Sequence, residues 1–129
     1  MTAIYPAAKV ALLSGELDFT ADTIAAVMVD GYTYNSTHTS RTNLTVFEVG
    51  DPEILDPAVT ATGTVTVEPF TFAAPPAGHV IDAVVIYVDA GESPDLLIAH
   101  IDRSVGALPM AVNTNDGDVT FTFSPLLKL

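Results

Sequence analysis

The longest apolar runs in the chain are IAAVMV, residues 24–29, and AVVIYV, residues 83–88, each six residues long. Runs that short, rich in β-branched residues, suit strands buried on both faces. Gly31 closes the first. The second belongs to IDAVVIYVDA (81–90), which GESPD (91–95) turns back into LLIAHID (96–102), the spacing of a β-hairpin. Elsewhere the period is two. VTATGTVTV (59–67) alternates apolar or small residues with Thr, and FTF repeats the pattern after Pro69. DVTFTFS (118–124) sets Val119, Phe121 and Phe123 on one face against Thr120 and Thr122 on the other.

One helix is expected. PAAKVALLS (6–14) has Pro at its start and Gly15 just past its end. Ala8, Val10, Ala11, Leu12 and Leu13 can supply its buried face. GYTYNSTHTSRTN (31–43) reads as a polar loop holding one helical turn. The two Asp-Pro pairs in LTVFEVGDPEILDPA (44–58) favour turns and extended backbone. AAPPAG (73–78) is a break, and RSVGALPMAVNTNDG (103–117) is a connector with an extended centre. The chain has 129 residues, 49% of them hydrophobic, enough for a packed core. The expectation is a single mainly-β domain, residues 1–129, built as a β-sandwich or barrel with one short N-terminal helix.

Charge narrows the partners. The net charge is −12, and only Lys9, Arg41, Arg103 and Lys128 are basic. Phosphate backbones and anionic membranes are bound through Lys and Arg, so neither nucleic acid nor membrane is an expected partner. A transmembrane helix needs about 20 apolar residues, far more than any run here. The chain contains no Cys, which excludes disulfides, thiolate metal sites and a cysteine nucleophile. The N-terminus lacks the basic start and long apolar run of a secretory leader, so synthesis in a cytosol is expected.

The polar motifs read mainly as structure. His100 and Asp102 stand two apart on a strand and share a face, as proton transfer would require. Alternation sets Leu97, Ala99 and Ile101 on the opposite face, and the pair reads as the polar outer side of a hairpin. NTNDGD (113–118) resembles part of a calcium loop, but position 12 counted from Asn113 is Ser124 rather than Glu, and a strand follows. Asn, Asp and Gly are also what a tight turn needs. His38, His79 and His100 lack the spacing of a zinc site. Asn35-Ser36-Thr37 and Asn43-Leu44-Thr45 match the glycosylation sequon and carry no weight without a leader. Tyr32 and Tyr34 are the aromatic pair expected at the surface, as loop anchors or interface residues. No catalytic residue, metal or cofactor is assigned.

Three stretches carry a resemblance. YPAAKVALLSGELDFTADTIAAVMVDG, VIYVDAGESPDLLIAHID and GALPMAVNTNDGDVTFTFSP resemble, in order, the opening, the hairpin and the ending of small structural proteins of tailed bacteriophages and prophages. In that family the last strand carries an aromatic residue, for which Phe121 or Phe123 stands here, and EILDPAVTATGTVTVEPFTF is richer in Pro than the common pattern. The resemblance implies a virion component, placed on the capsid surface as a head decoration or cement protein and assembled in the host cytoplasm. Its partner would be the major capsid protein, and docking at a three-fold site would favour a trimer. The alternatives are a tail or neck component, a host-surface or carbohydrate-binding β-sandwich, and a small hydrolase built on His100 and Asp102. For a docking role, interface preference for Tyr and Arg selects Tyr5, Tyr34 and Arg41, and the C-terminal LLKL adds Leu126 and Leu127.

Overall fold

A computed structural model describes residues 2–89, 95–102, 110–123 and 126–128. In chain order the elements are β1 (Thr2–Ile4), α1 (Pro6–Leu13), β2 (Ile24–Val29), a 3-10 turn (Arg41–Asn43), β3 (Glu48–Leu55), β4 (Ala58–Val59), β5 (Thr64–Thr66) and β6 (Phe70–Phe72). They continue with β7 (Val80–Ile81), β8 (Ala83–Val88), β9 (Leu97–Ile101), β10 (Val112–Asn113), β11 (Val119–Phe121) and β12 (Leu127–Lys128). The fold is mainly β, as the alternation and the short apolar runs require. The turn read at 91–95, apart from Asp95, and the connector over 103–109 lie outside the described residues.

The centre is a five-stranded antiparallel sheet in the order β1-β9-β8-β2-β3. Its middle strands are the six-residue runs: all of β2 is buried, and so is β8 up to Tyr87. Both faces of these strands meet apolar groups, which is why their sequence is a run rather than an alternation. The edges are a three-residue strand, β1, and β3, which carries Pro52. Pro is tolerated there because an edge strand leaves one side of its backbone unpaired. The β2–β3 register shifts between Ala26, opposite Glu53, and Met28, opposite Val49, so β3 bulges at Gly50–Pro52. Gly50 has φ 74° at this bulge, and a Cβ there would stand 3.2 Å from the Pro75 side chain.

One face of the sheet packs on a second layer of small ladders: β6 with β11, β12 with β5 and β4, and β7 with β10. Phe70, Phe72, Phe121 and Phe123 form an aromatic cluster whose ring centroids lie 5.6–6.2 Å apart. Phe121 and Phe123 point inward and Thr120 and Thr122 outward, as their alternation predicts. VTATGTVTV is not one strand: Gly63 N–H donates to Thr60 O at 3.1 Å, and β4 turns back onto β5. Thr-rich alternation cannot reveal such a reversal, because the turn residues share its polarity. Leu126 and Leu127 close this core, with Leu126 N–H donating to Val65 O at 2.9 Å.

α1 begins at Pro6 and is followed by Gly15 at φ 79°. It lies on β9 through Ala8 and Ala11, one turn apart. Val10 and Leu13, expected to be buried, face solvent at 67% and 88% exposure. The two small residues let the helix approach the sheet closely, which turns its larger apolar residues outward.

The opposite face of the sheet is covered by residues 32–47. Tyr32 and Leu44 are buried there beside Tyr5, Val27, Val85, Tyr87 and Leu97, with Tyr34 and Phe47 half-buried. This cover is tied to the start of β9: Leu97 N–H donates to Thr39 O at 3.0 Å and Arg41 N–H to Asp95 O at 2.9 Å. The Asn residues of both sequon matches serve the cover itself. Asn35 Oδ1 accepts from Thr37 N–H at 2.9 Å, and Asn43 Oδ1 accepts from Thr39 and Ser40 N–H at 3.2 and 3.3 Å.

Candidate functional site

The polar chemistry of the chain gathers under the 32–47 cover. His100 sits opposite Val85 on the covered face of the sheet and is 5% exposed. The outer-face reading of His100 is therefore corrected, because the polar loop supplies a second core over that face. A bulge explains the rest. The β8–β9 register slips between Ile86, opposite Ala99, and Tyr87, opposite Leu97. The extra residue at the slip brings Leu97 onto the same core as Tyr87 and Val85, leaving Ile98, Ala99 and Ile101 in the core of the other face.

Tyrosines surround the imidazole. The Tyr32 and Tyr34 rings each lie 5.7 Å from the His100 ring, and Tyr34 meets Tyr5 edge-on at 5.0 Å. Tyr32 is buried rather than exposed because its hydroxyl bonds inward, to Tyr5 Oη at 2.9 Å and to His38 Nδ1 at 2.8 Å. Burial pushes the Tyr5 and Tyr32 phenols above their usual range, and the hydrogen bond to Tyr32 adds to the shift at Tyr5. Burial likewise lowers the His100 pKa, against the opposing pull of Asp102 and Asp82. His100 is therefore neutral at pH 7.

A cavity of about 360 Å3 lies at this end of the sheet, lined by Tyr32, Thr33, Tyr34, Asp82, His100, Asp102 and Met110. Asp82 Oδ2 accepts from Gly31 N–H at 3.1 Å. Among the described residues, the buried atoms Asp82 Oδ1 and His100 Nε2 have no hydrogen-bond partner. The sequence pairs His100 with Asp102; the fold adds Asp82, which stands just before β8, and Met110 beyond the connector. Neither has a local signal, because each reaches the site through sheet pairing and chain return.

Arg41 sits in a different setting on the same cover. Its Nη2 and Nε donate to Glu48 Oε1 and Oε2 at 2.8 and 3.0 Å, and its guanidinium lies 4.9 Å from the Tyr87 ring centroid. The Glu48 hydrogen bonds raise the Arg41 pKa above its usual value. Burial pushes the Tyr87 phenol up to about 12, with Arg41 opposing. Arg41 is thus a brace between the 3-10 turn and β3, with 30% of its side chain exposed.

Of the residues selected for docking, Tyr5, Leu126 and Leu127 are buried at 0%, 2% and 1% exposure. They are corrected to core positions: β1 leads Tyr5 under the cover, and β12 folds the two leucines against Val65. Tyr34 and Arg41 keep part of their surface. The NTNDGD turn precedes β11, as its composition predicts, and its side chains hold the 73–79 break in place. Asp118 Oδ1 accepts from Ala74 N–H at 2.9 Å, Asp116 Oδ1 from Ala77 N–H at 3.1 Å, and Thr114 Oγ1 from His79 N–H at 2.9 Å. Asp116 takes φ 67°, a left-handed value that Asp tolerates better than most residues. His79 in turn meets Asp30 at 3.1 Å.

No protein-family model matches the chain, and no curated protein or solved structure was found to resemble it. No helix among the described residues is long and apolar enough to cross a membrane.

Proposed function

We propose that this chain is a structural protein of a tailed-phage virion, a decoration protein that binds the outer surface of the assembled head and stabilises it. One observation carries the reading. Two of the three stretches that resemble that family, far apart in sequence, meet in the main sheet. The opening supplies α1 and β2, the hairpin supplies β8 and β9, and these strands are neighbours at the centre of the main sheet with α1 on β9. The third stretch, the ending, supplies β10 and β11, which pair with β7 and β6 in the second layer.

The chemistry suits the role. Arg41 braces Glu48, Asp116 and Asp118 hold backbone amides, and His100 is neutral under two tyrosines. These polar groups serve the architecture. The net charge of −12 keeps such a domain soluble before assembly. Binding only to the assembled shell would stabilise that shell by mass action, and a repeated three-fold site would accept a trimer. The carbohydrate-binding alternative loses its support, since Tyr32 is buried and Tyr34 half-buried, leaving no exposed aromatic platform in that loop.

Co-sedimentation tests the reading. Purified protein is mixed with separately purified empty heads and tails and spun through a density gradient. Saturable co-migration with heads supports decoration. Co-migration with tails alone transfers the protein to the tail or neck, and migration with neither refutes a virion role.

A further inference from the structure

β3 is an open edge of the main sheet: among the described residues it pairs with β2 alone. Antiparallel pairing engages the backbone of alternate residues, so the others present N–H and C=O groups on the outer side. Natural edges are usually shielded against a further strand. The bulge at 50–52 shields the first half of β3, since the chain bends there and Pro52 has no N–H to offer. Residues 53–55 have neither device and run in unbroken register opposite Ala26, Ala25 and Ile24. Beside them lies a groove of about 270 Å3. Its other wall is the 67–71 segment entering β6, a strand whose one neighbour among the described residues is β11. Apolar surface is accessible in this groove. Ile54 is 56% exposed, Pro69 is exposed and Val67 is half-buried. Ile54 stands opposite Ala25 but outside the core that the 32–47 cover builds over that face.

The rim decides what can fill the groove. Glu53, Asp56 and Glu68 stand along it, Asp56 and Glu68 exposed and Glu53 half-buried. Among the described residues no basic side chain lines the groove, and none of these three carboxylates is in an ion pair. A second copy of this chain would set the same carboxylates against each other, and like charges across a strand pair are destabilising. The occupant must therefore carry positive charge. Its pattern follows from the pleat. Glu53 and Ile54 are consecutive, so they point to opposite faces of the sheet. A strand laid beside them meets Ile54 with one set of side chains and Glu53 with the other. Cross-strand pairing is best when the first set is apolar and the second basic.

We propose that the 53–55 edge of β3 takes up an extended segment of a partner protein, with alternating basic and apolar residues, as an added strand. Backbone hydrogen bonds to the edge supply affinity, and the groove and its carboxylates supply the choice of side chains. The net charge of −12 draws basic segments toward the chain and raises the rate of encounter. The partner need not be a phage head.

The test titrates the synthetic peptide acetyl-KVKVKV-amide into isotopically labelled protein while nuclear magnetic resonance follows the backbone amides. The expected result is saturable shifts centred on residues 53–56 and 67–71 that weaken with added salt. Acetyl-EVEVEV-amide, with the same alternation and opposite charge, should leave them unmoved. The basic peptide N-methylated at alternate amides loses the donors of one edge and should bind more weakly. Glu53→Gln combined with Glu68→Gln removes two surface charges and should weaken binding of the basic peptide by about tenfold at low salt. No saturable shift with the basic peptide, or shifts centred elsewhere, would overturn the proposal. Equal binding of the acidic peptide would overturn the requirement for charge, and equal binding of the N-methylated peptide would overturn strand addition. The peptide comparisons are read on the unmodified protein, so a poorly folded variant does not obscure them.

Discussion

Acidification should loosen this fold through His100, and the size of the effect can be worked out. Burial lowers the His100 pKa in the folded chain below its ordinary 6.5, while Asp82 and Asp102 oppose the shift. Between 6.5 and the folded value, the unfolded chain holds a proton at this site that the folded chain does not. Stability must therefore rise with pH in that window and fall as pH drops below 6.5. One proton sets the limiting slope at about 1.4 kcal/mol per pH unit. For a domain of this size that is a Tm loss of roughly 4–6 °C per pH unit. The lowered Asp18 pKa has its own effect, stability lost as pH falls through and below the 3.8 region, which separates the two windows. Denaturant melts from pH 7.5 to pH 5 would be compared for the wild type and His100→Phe, which keeps a ring between Tyr32 and Tyr34 but cannot titrate. The variant's curve should be flatter by up to that slope. Parallel curves for the two proteins would refute the account of His100 as a neutral residue held under a tyrosine cover.

Three further outcomes follow from the geometry. Breaking the Arg41–Glu48 brace with Arg41→Met or Glu48→Gln should cost about 1–3 kcal/mol in denaturant melts, and the double mutant should cost less than the two singles summed; additive losses would mean the two side chains do not cooperate. Gly50→Ala should destabilise by about 1–3 kcal/mol, because it combines φ 74° with a 3.2 Å approach to Pro75, and an unchanged Tm would contradict that bulge geometry. Millimolar calcium should leave Tm unchanged, since Asp116 and Asp118 each give an oxygen to a backbone amide of the 73–79 segment, and a rise of several degrees would mark NTNDGD as a metal site.

Much of the architecture was legible in short patterns. Pro6 and Gly15 bound α1, the runs at 24–29 and 83–88 became the doubly buried strands of the main sheet, and Phe121 and Phe123 face the core as their alternation requires. Features that depend on a distant partner were not legible. The turn at Thr60–Gly63 hides in a Thr-rich alternation. The register slip near Leu97 moves that residue onto the His100 face, which strict alternation forbids. The greatest departure concerns 31–43. Its polar composition signals a surface loop, yet Tyr32, with Leu44 just beyond, builds a second core over the sheet, and Asn35 and Asn43 satisfy its backbone. That cover is what buries His100 and brings Asp82, Asp102 and Tyr34 to one cavity. Tyr5, Leu126 and Leu127 were drawn to the interior for a related reason: apolar and aromatic residues near chain ends serve interfaces only when the domain's own core does not claim them.

The most direct test of the virion reading is electron cryomicroscopy of heads purified without this protein and then incubated with it. The account predicts added density repeated over the head lattice, with each copy shaped like a main sheet backed by small ladders and a local symmetry that gives the oligomer. Heads with unchanged surfaces at saturating protein would contradict it.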